Sequence, residues 1–167
     1  MVSKEKIKRL LRKAEQCLII GNNLAAEVLS REVIKLDPQN AESYYFLGEA
    51  LCKQGKFAES IRSLQKARKL LPGNARIIHL LGWAIFMRGD ADLGRVYIEQ
   101  ALKVLPKDVQ ILSDLAVLEI GQGNMDEAKE YILKALDIDP NNPLSQDVLQ
   151  KVLVFNKAKK RLERRTN

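Results

Sequence analysis

The sequence predicts an all-α fold, a solenoid of four helix–turn–helix repeats with about nine helices in total. The prediction depends on three sets of residues that recur every 34 positions along a chain of 167 residues. The first set is four prolines, Pro38, Pro72, Pro106 and Pro140. The second is four glycines, Gly21, Gly55, Gly89 and Gly123. The third is four helix-capping side chains, Asn40, Asn74, Asp108 and Asn142. A fixed period of this length indicates stacked, equivalent units.

The segment 41–74 explains why each unit forms two helices. Asn40 precedes the first helix and can accept hydrogen bonds from its free N–H groups. The apolar face of that helix is formed by Tyr44, Leu47 and Leu51. Gly55 ends the helix, because glycine tolerates the left-handed backbone of a C-terminal stop. The second helix has an apolar face of Phe57, Ile61, Leu64, Ala67 and Leu70. Pro72 stops it, since proline lacks the N–H that the helix needs.

Small residues stand at matched places on the two helices of each unit. Gly48 on the first helix of this unit has Ser60 as its counterpart on the second. The same places hold Ala14 and Ala26, Gly82 and Gly94, and Ala116 and Ala128 in the other units. We therefore expect a close crossing contact between the two helices of every unit.

These positions resemble the tetratricopeptide repeat, a helix–turn–helix unit of 34 residues. In the second unit the resemblance is carried by Tyr44, Leu47, Gly48, Leu51, Ser60, Leu64, Ala67 and Pro72. In the third it is carried by Ile78, Leu81, Gly82, Ile85, Gly94, Ile98, Ala101 and Pro106. In the fourth it is carried by Leu112, Leu115, Ala116, Ala128, Ile132, Ala135 and Pro140. Glu119 departs from the pattern at an apolar place, and the first unit departs most, at Lys13, Ser30 and Val33.

The resemblance implies a right-handed superhelix whose first helices line a concave groove. We expect an N-terminal extension at 1–6, repeats at 7–40, 41–74, 75–108 and 109–142, and a basic capping helix at 143–167. Pro143 suits the first position of that last helix. Its apolar stripe is predicted to be Leu144, Val148, Val152, Phe155 and Leu162.

The resemblance also implies that the groove binds peptides. The residues carried over to the groove are Tyr45, Phe46, Glu49, Arg76, His79, Trp83, Phe86, Met87 and Asp114. In the third repeat His79, Trp83, Phe86 and Met87 share one helical face, apart from the face assigned to the core. A helix that is apolar on two faces is either buried on both or carries a binding surface. A carboxylate clamp of the chaperone-binding type is not predicted, because only Arg76 keeps the required charge.

The charge of the chain is concentrated at its ends. The net charge is +7. Residues 1–13 carry six Lys or Arg against Glu5, and residues 151–167 carry seven against Glu163. The candidate basic tail is Lys157, Lys159, Lys160, Arg161, Arg164 and Arg165. Such ends either keep two terminal helices solvated or bind nucleic acid or an anionic membrane.

No catalytic or metal-binding pattern is found in the sequence. His79 is the single histidine, and Cys17 and Cys52 are isolated cysteines that we expect to pack as small apolar residues. We expect no enzyme activity, no cofactor and no small-molecule substrate. No segment approaches the roughly 18 apolar residues that a membrane helix needs, so we expect a cytoplasmic location.

The sequence therefore predicts a protein–protein interaction scaffold or adaptor that binds a peptide or helix of a partner in its groove. One alternative is binding of nucleic acid or anionic membrane through the basic ends. Another is a self-assembling scaffold, a homo-oligomer in which the groove takes the basic C-terminal helix of a second copy. The chain's own C-terminal helix is a further candidate occupant of the groove.

Overall fold

A computed structural model describes residues 4–166, except for the side chains of residues 159, 160 and 162–166. Within this range the chain forms nine helices and no strand, which confirms the predicted all-α class. The helices are α1 (Lys4–Ile19), α2 (Asn23–Leu36), α3 (Ala41–Lys53), α4 (Phe57–Leu70), α5 (Ala75–Met87), α6 (Ala91–Val104), α7 (Val109–Gln122), α8 (Met125–Ile138) and α9 (Pro143–Thr166).

The predicted capping side chains all accept a hydrogen bond from the first turn of the following helix. Asn40 Oδ1 accepts from the Ser43 N–H at 2.8 Å, and Asn74 Oδ1 accepts from the Ile77 N–H at 3.1 Å. Asp108 and Asn142 do the same for α7 and α9, both at 3.0 Å. The capping predictions are therefore confirmed, and each cap satisfies an N–H group that the helix cannot pair itself.

Glycine also ends helices as predicted. Gly123 follows α7 with φ of 84°, a backbone conformation that other residues rarely adopt. Its N–H donates to the carbonyl oxygens of Glu119 and Ile120 in the last turn of the helix. The stop at Gly123 sets the short connection that lets α8 turn back on α7.

The helices fall into two compact units that meet within α6, between Tyr97 and Ile98. Unit 1 contains α1 to α5 and the start of α6, and in it each of the first four helices packs on the next. One of its buried clusters comprises Leu10, Leu11, Ala14, Leu18, Ala26, Val33, Phe46 and Ala50. A second comprises Cys52, Ile61, Leu64, Leu81, Ala84 and Ile85.

The predicted close crossings are present in unit 1. The Ser60 hydroxyl donates to the Gly48 carbonyl oxygen at 2.7 Å, across the buried contact of α3 and α4. A Cβ added at Gly48 would lie 2.5 Å from Leu64 Cγ. A Cβ added at Gly94 would lie 2.9 Å from the carbonyl oxygen of Gly82. Any larger side chain at either glycine would separate the paired helices.

Unit 2 contains the end of α6 together with α7, α8 and α9, and α9 packs on both α7 and α8. Its buried cluster comprises Ala116, Ala128, Ile132, Val148 and Val152. The hydroxyl groups of Ser113 and Ser145 are 3.0 Å apart in the buried contact of α7 and α9. Glu119, which departs from the repeat pattern, is 1% exposed and accepts from the Asn124 amide at 2.8 Å. A buried carboxylate is tolerated here because it is hydrogen-bonded.

The predicted apolar stripe of α9 is only partly correct. Val148 and Val152 are buried, but Leu144 is 39% exposed and Phe155 is 46% exposed. Phe155 is exposed because α9 continues beyond the helices that cover its earlier turns, whereas Leu144 lies in the first turn of α9. Leu162 lies outside the described side chains.

Cys17 is half-buried and Cys52 is buried, and both are free thiols that contact apolar clusters. None of the described helices combines the length and the apolar character that crossing a bilayer requires.

Candidate functional site

The candidate site lies in unit 1, on the surface formed by α1, α3 and α5, hereafter the α1–α3–α5 face. The side chains that define it are Glu15, Glu42, Tyr45, Glu49, Arg76 and Trp83. On α3, Glu42, Tyr45 and Glu49 follow at intervals of three and four residues, so they project from one side of the helix. On α5, Arg76 and Trp83 are seven residues apart, which also places them on one side.

Tyr45 and Arg76 join α3 to α5 at the centre of this face. The guanidinium carbon of Arg76 lies 5.4 Å from the centroid of the Tyr45 ring, a cation–π arrangement. Burial raises the pKa of the Tyr45 phenol to about 12, and the carboxylate of Glu49 adds to the rise. The charge of Arg76 acts in the opposite direction. The phenol is therefore neutral at physiological pH and can both donate and accept a hydrogen bond.

Glu49 also links α3 to the end of α1 through Lys53. The Lys53 ammonium lies 2.8 Å from Glu49 Oε1 and donates to the Leu18 carbonyl oxygen at 3.4 Å. Lys53 therefore neutralises Glu49 and satisfies a carbonyl group near the C-terminus of α1. Glu49, paired with Lys53 in this way, also interacts with the Tyr45 phenol, as Arg76 does.

A cavity of about 280 Å³ opens beside Tyr45. Its lining residues are Glu15, Glu42, Tyr45, Phe46, Leu71, Asn74, Arg76 and Ile77. Phe46 and Ile77 are almost fully buried and form an apolar floor. Glu15 and Glu42 are exposed, and neither is in an ion pair within the described part of the chain. The cavity therefore offers apolar walls, two carboxylates that form no ion pair among the described residues, and one guanidinium.

Trp83 extends the face along α5. Its ring is half-buried and, like Tyr45 and Leu80, packs against the second cluster of unit 1. The ring centroids of Trp83 and Phe86 are 5.4 Å apart at an interplanar angle of 52°. Met87, one residue further on, is 43% exposed. Trp83, Phe86 and Met87 thus provide apolar surface near the C-terminus of α5.

The structure brings together most, but not all, of the residues predicted for the groove. Tyr45 interacts with both Glu49 and Arg76, whereas Trp83 and the half-buried His79 lie further along the helix of Arg76. Phe46 is 4% exposed and belongs to the core, because α1 covers it. Phe86 is directed toward α6, since a Cβ added at Gly94 would lie 2.8 Å from Phe86 Cβ.

Asp114 and the basic tail lie in unit 2. Asp114 is 7% exposed and accepts from the Gln110 amide at 2.9 Å, so its carboxylate is largely withdrawn from solvent. Of the tail, Lys157 and Arg161 are exposed. The side chains of Lys159, Lys160, Arg164 and Arg165 lie outside those that the structure describes. Binding of nucleic acid or anionic membrane by this tail stays a prediction.

Two residues of the cavity were not expected there from the sequence. Leu71 lies in the connection between α4 and α5, and Asn74 was assigned only a capping role. Both reach the cavity because this connection is short and passes the N-terminal ends of α3 and α5. No sequence pattern marks them, since their place depends on how the two helices pack.

Among the described residues, no three of His, Cys, Asp and Glu are close enough together to hold a metal ion.

Comparisons with known proteins give matches to one repeat family. Two family models, both described as tetratricopeptide repeat, match residues 86–152 and 41–74. The comparison with curated protein sequences gave no match.

Three solved structures illustrate the likeness in fold. A thermophilic tetratricopeptide-repeat protein of Thermus thermophilus aligns with a TM-score of 0.80 at 22% identity, over 89% of this chain and 81% of that one. A chain of the Cut9–Hcn1 hetero-tetramer of the APC/C aligns with a TM-score of 0.80 at 20% identity, over 86% of this chain and 29% of that one. YrrB, a tetratricopeptide-repeat protein with an unusual peptide-binding site, aligns with a TM-score of 0.65 at 16% identity, over 89% and 76%. This chain spans less than a third of the length of its Cut9–Hcn1 neighbour. The likeness in fold to these structures confirms the predicted helical-repeat solenoid.

Proposed function

Because the chain belongs to the tetratricopeptide-repeat family, we propose that it is a non-enzymatic scaffold that holds a peptide or helix of a partner protein on its α1–α3–α5 face. Repeat stacks of this kind carry extended surfaces on which partners bind. The fold alone does not select a partner, so the argument depends on the side chains of the face.

The observation that carries the proposal is the pair of Tyr45 and Arg76 at the cavity, with Trp83 further along α5 on the same side of the helix as Arg76. Tyr, Arg and Trp are the residue types most enriched where protein interfaces bind tightly. Tyr45 and Trp83 are each half-buried, so they are held in place before a partner arrives. Rigid aromatic side chains lose little conformational freedom on binding, which favours affinity.

The chemistry of the face indicates the kind of ligand. Trp83 and Met87 offer apolar contact, whereas the cavity offers carboxylates from Glu15 and Glu42. A helix or extended segment with apolar residues and a nearby cation would satisfy both features. The solved neighbours are compatible with this function, since one belongs to a hetero-tetramer and another has a peptide-binding site.

The proposal is tested by partner capture from a lysate of the source cells, followed by mass spectrometry. We expect Trp83→Ala and Arg76→Glu to lose the proteins that the wild type captures. Val96→Ala is the matched control, because Val96 is 59% exposed in unit 1 and lies outside the face. It should capture the wild-type set.

Folding must be followed in the same variants. Trp83 contacts the core, so its replacement can lower stability, whereas Arg76 is exposed and its replacement should leave the melting temperature within a few degrees. If folded Arg76→Glu and folded Trp83→Ala both retain every captured protein, the α1–α3–α5 face is not the binding surface.

A further inference from the structure

Helix α9 continues well past the part of it that is packed. Val152 is fully buried, but Leu153, Val154 and Phe155 are 42%, 67% and 46% exposed. Lys157, Ala158 and Arg161 are also exposed, and the helix runs on to Thr166. Helices of fewer than about 12–15 residues are marginal in water without packing. Leu153 and Val154 lie on one side of this segment, the side that also carries Lys157 and Arg161, and such exposed apolar area is typical of a surface that another molecule covers.

The exposed segment of α9 is basic as well as apolar. Lys157 and Arg161 are four residues apart, so they project from the same side of the helix. Neither is in an ion pair with another described side chain. A partner for this segment therefore needs apolar contact area and uncompensated negative charge.

The cavity on the α1–α3–α5 face of the same chain offers apolar contact and two carboxylates, next to the single cation Arg76. It has an apolar floor of Phe46 and Ile77, and Glu15 and Glu42 at its rim lack ion-pair partners among the described side chains. Long basic side chains lay their methylene groups on apolar walls and keep their charged ends near the opening. Lys157 or Arg161 could occupy the cavity in this way while Leu153 and Val154, four residues before Lys157 and seven before Arg161 on the same side of α9, contact the partly exposed Trp83.

We propose that the segment Leu153–Arg161 of one copy docks on the α1–α3–α5 face of a second copy, so that the chain associates head to tail with itself. The proposal rests on the proposed function, because it names an occupant for the same face. A contact of this type joins two different surfaces and therefore forms rings or open chains, not a two-fold dimer alone. The complementary charges fix the direction in which copies associate.

The first test measures mass against protein concentration by light scattering and sedimentation at low salt. We expect the wild-type mass to rise with concentration, and the rise to weaken as salt screens the charges. Lys157→Glu/Arg161→Glu should remain a monomer, with at least a tenfold loss of affinity. Lys103→Glu/Lys107→Glu is the control, because it makes the same change in net charge at exposed positions elsewhere in unit 2. It should associate like the wild type.

The second test restores the contact by mixing two variants that fail alone. Glu15→Lys/Glu42→Lys should also be a monomer, because its face repels the basic segment. Mixed with Lys157→Glu/Arg161→Glu, it supplies a wild-type basic segment to a wild-type face. We expect the mixture to form a complex of both variants. All four substituted residues are exposed, so each variant should retain its helical circular dichroism.

The fluorescence of Trp83 reports on the face itself. Trp83 is the single tryptophan of the chain, so its emission needs no deconvolution. We expect its emission to shift with concentration in the wild type and to remain constant in Lys157→Glu/Arg161→Glu. An emission that depends on the basic segment but not on concentration would mean docking within one chain, and would overturn the proposal.

Other outcomes also overturn it. One is a chain that stays monomeric at every concentration in low salt, and another is association that neither charge reversal affects. A monomer that binds vesicles of anionic lipid or single-stranded RNA through Lys157 and Arg161 assigns the segment to those ligands instead. In each of these cases the capture experiment still decides the proposed function, because Arg76→Glu reports on partner binding whether or not the chain associates with itself.

Discussion

Tyr45 is the residue that connects the candidate site to the core of unit 1. It packs against the second cluster of unit 1, lines the cavity and lies beneath the guanidinium of Arg76. Burial raises the pKa of its phenol to about 12, with Glu49 adding to the rise. A tyrosine in the unfolded chain titrates near pH 10, so folding favours the protonated phenol.

This difference in pKa predicts how stability changes at alkaline pH. Below about pH 10 the phenol is protonated in both states, and its contribution to stability is complete. Between about pH 10 and 12 the unfolded chain loses the proton first, so the free energy of unfolding falls by on the order of 2 kcal/mol. Tyr45→Phe should lack this component. Urea unfolding of both proteins at pH 9 and pH 11.5 measures it.

The other three tyrosines are present in both proteins, so the comparison isolates Tyr45. Absorbance at the tyrosinate band provides an independent check, since one of the four phenols of the wild type should ionise last. Equal losses of stability in Tyr45→Phe and wild type between the two pH values would contradict the buried position of this ring.

At the scale of elements, α9 has two parts with different roles. Its first part closes the end of the core of unit 2, where Val148 and Val152 contact Ala116, Ala128 and Ile132. Its second part carries exposed apolar and basic side chains. The change between the two occurs within a single turn after Val152, where the described side chains pass from buried to exposed.

Two valines on either side of this change form a matched pair for mutation. Val152→Ala should lower the free energy of unfolding by about 1–3 kcal/mol, because it leaves a cavity in the core. Val154→Ala should change it by less than about 0.5 kcal/mol, because Val154 is 67% exposed. Chemical denaturation followed by circular dichroism measures both. Similar effects of the two substitutions would mean that α9 does not pack as described.

At the scale of the whole molecule, stability is distributed over repeats that contact mainly their neighbours in the chain. In such stacks the free energy is approximately a sum of repeat and nearest-neighbour terms. The two compact units of this chain allow this additivity to be tested. Trp83 is the single tryptophan and lies in unit 1, so its fluorescence follows the unfolding of that unit.

Destabilising unit 2 should therefore separate two probes of unfolding. In Val152→Ala we expect the midpoint by helical circular dichroism, which reports all nine described helices, to fall more than the midpoint by Trp83 fluorescence. The wild type serves as the reference for the separation of the probes. An equal fall in both midpoints would show that the stack unfolds as one cooperative body.

The sequence by itself determined where the helices begin and end. Asn40, Asn74 and Asp108 each accept the hydrogen bond predicted for them, and Gly123 takes the predicted left-handed conformation. These features are local, because a cap or stop depends on residues within one turn of the helix. A period of 34 residues repeats the same local signals four times, so the sequence is sufficient to predict the fold class.

Only the tertiary structure decided which side chains form the candidate site. Tyr45 and Phe46 are adjacent and both aromatic, yet Phe46 is covered by α1 whereas Tyr45 borders the cavity. Glu15 and Leu71 reach that cavity from elements distant in sequence. Exposure depends on which neighbouring helix covers a face and on how closely it approaches. The repeat spacing predicts which helices are neighbours. It does not predict how closely two helices approach, and therefore does not predict the exposure of a single side chain.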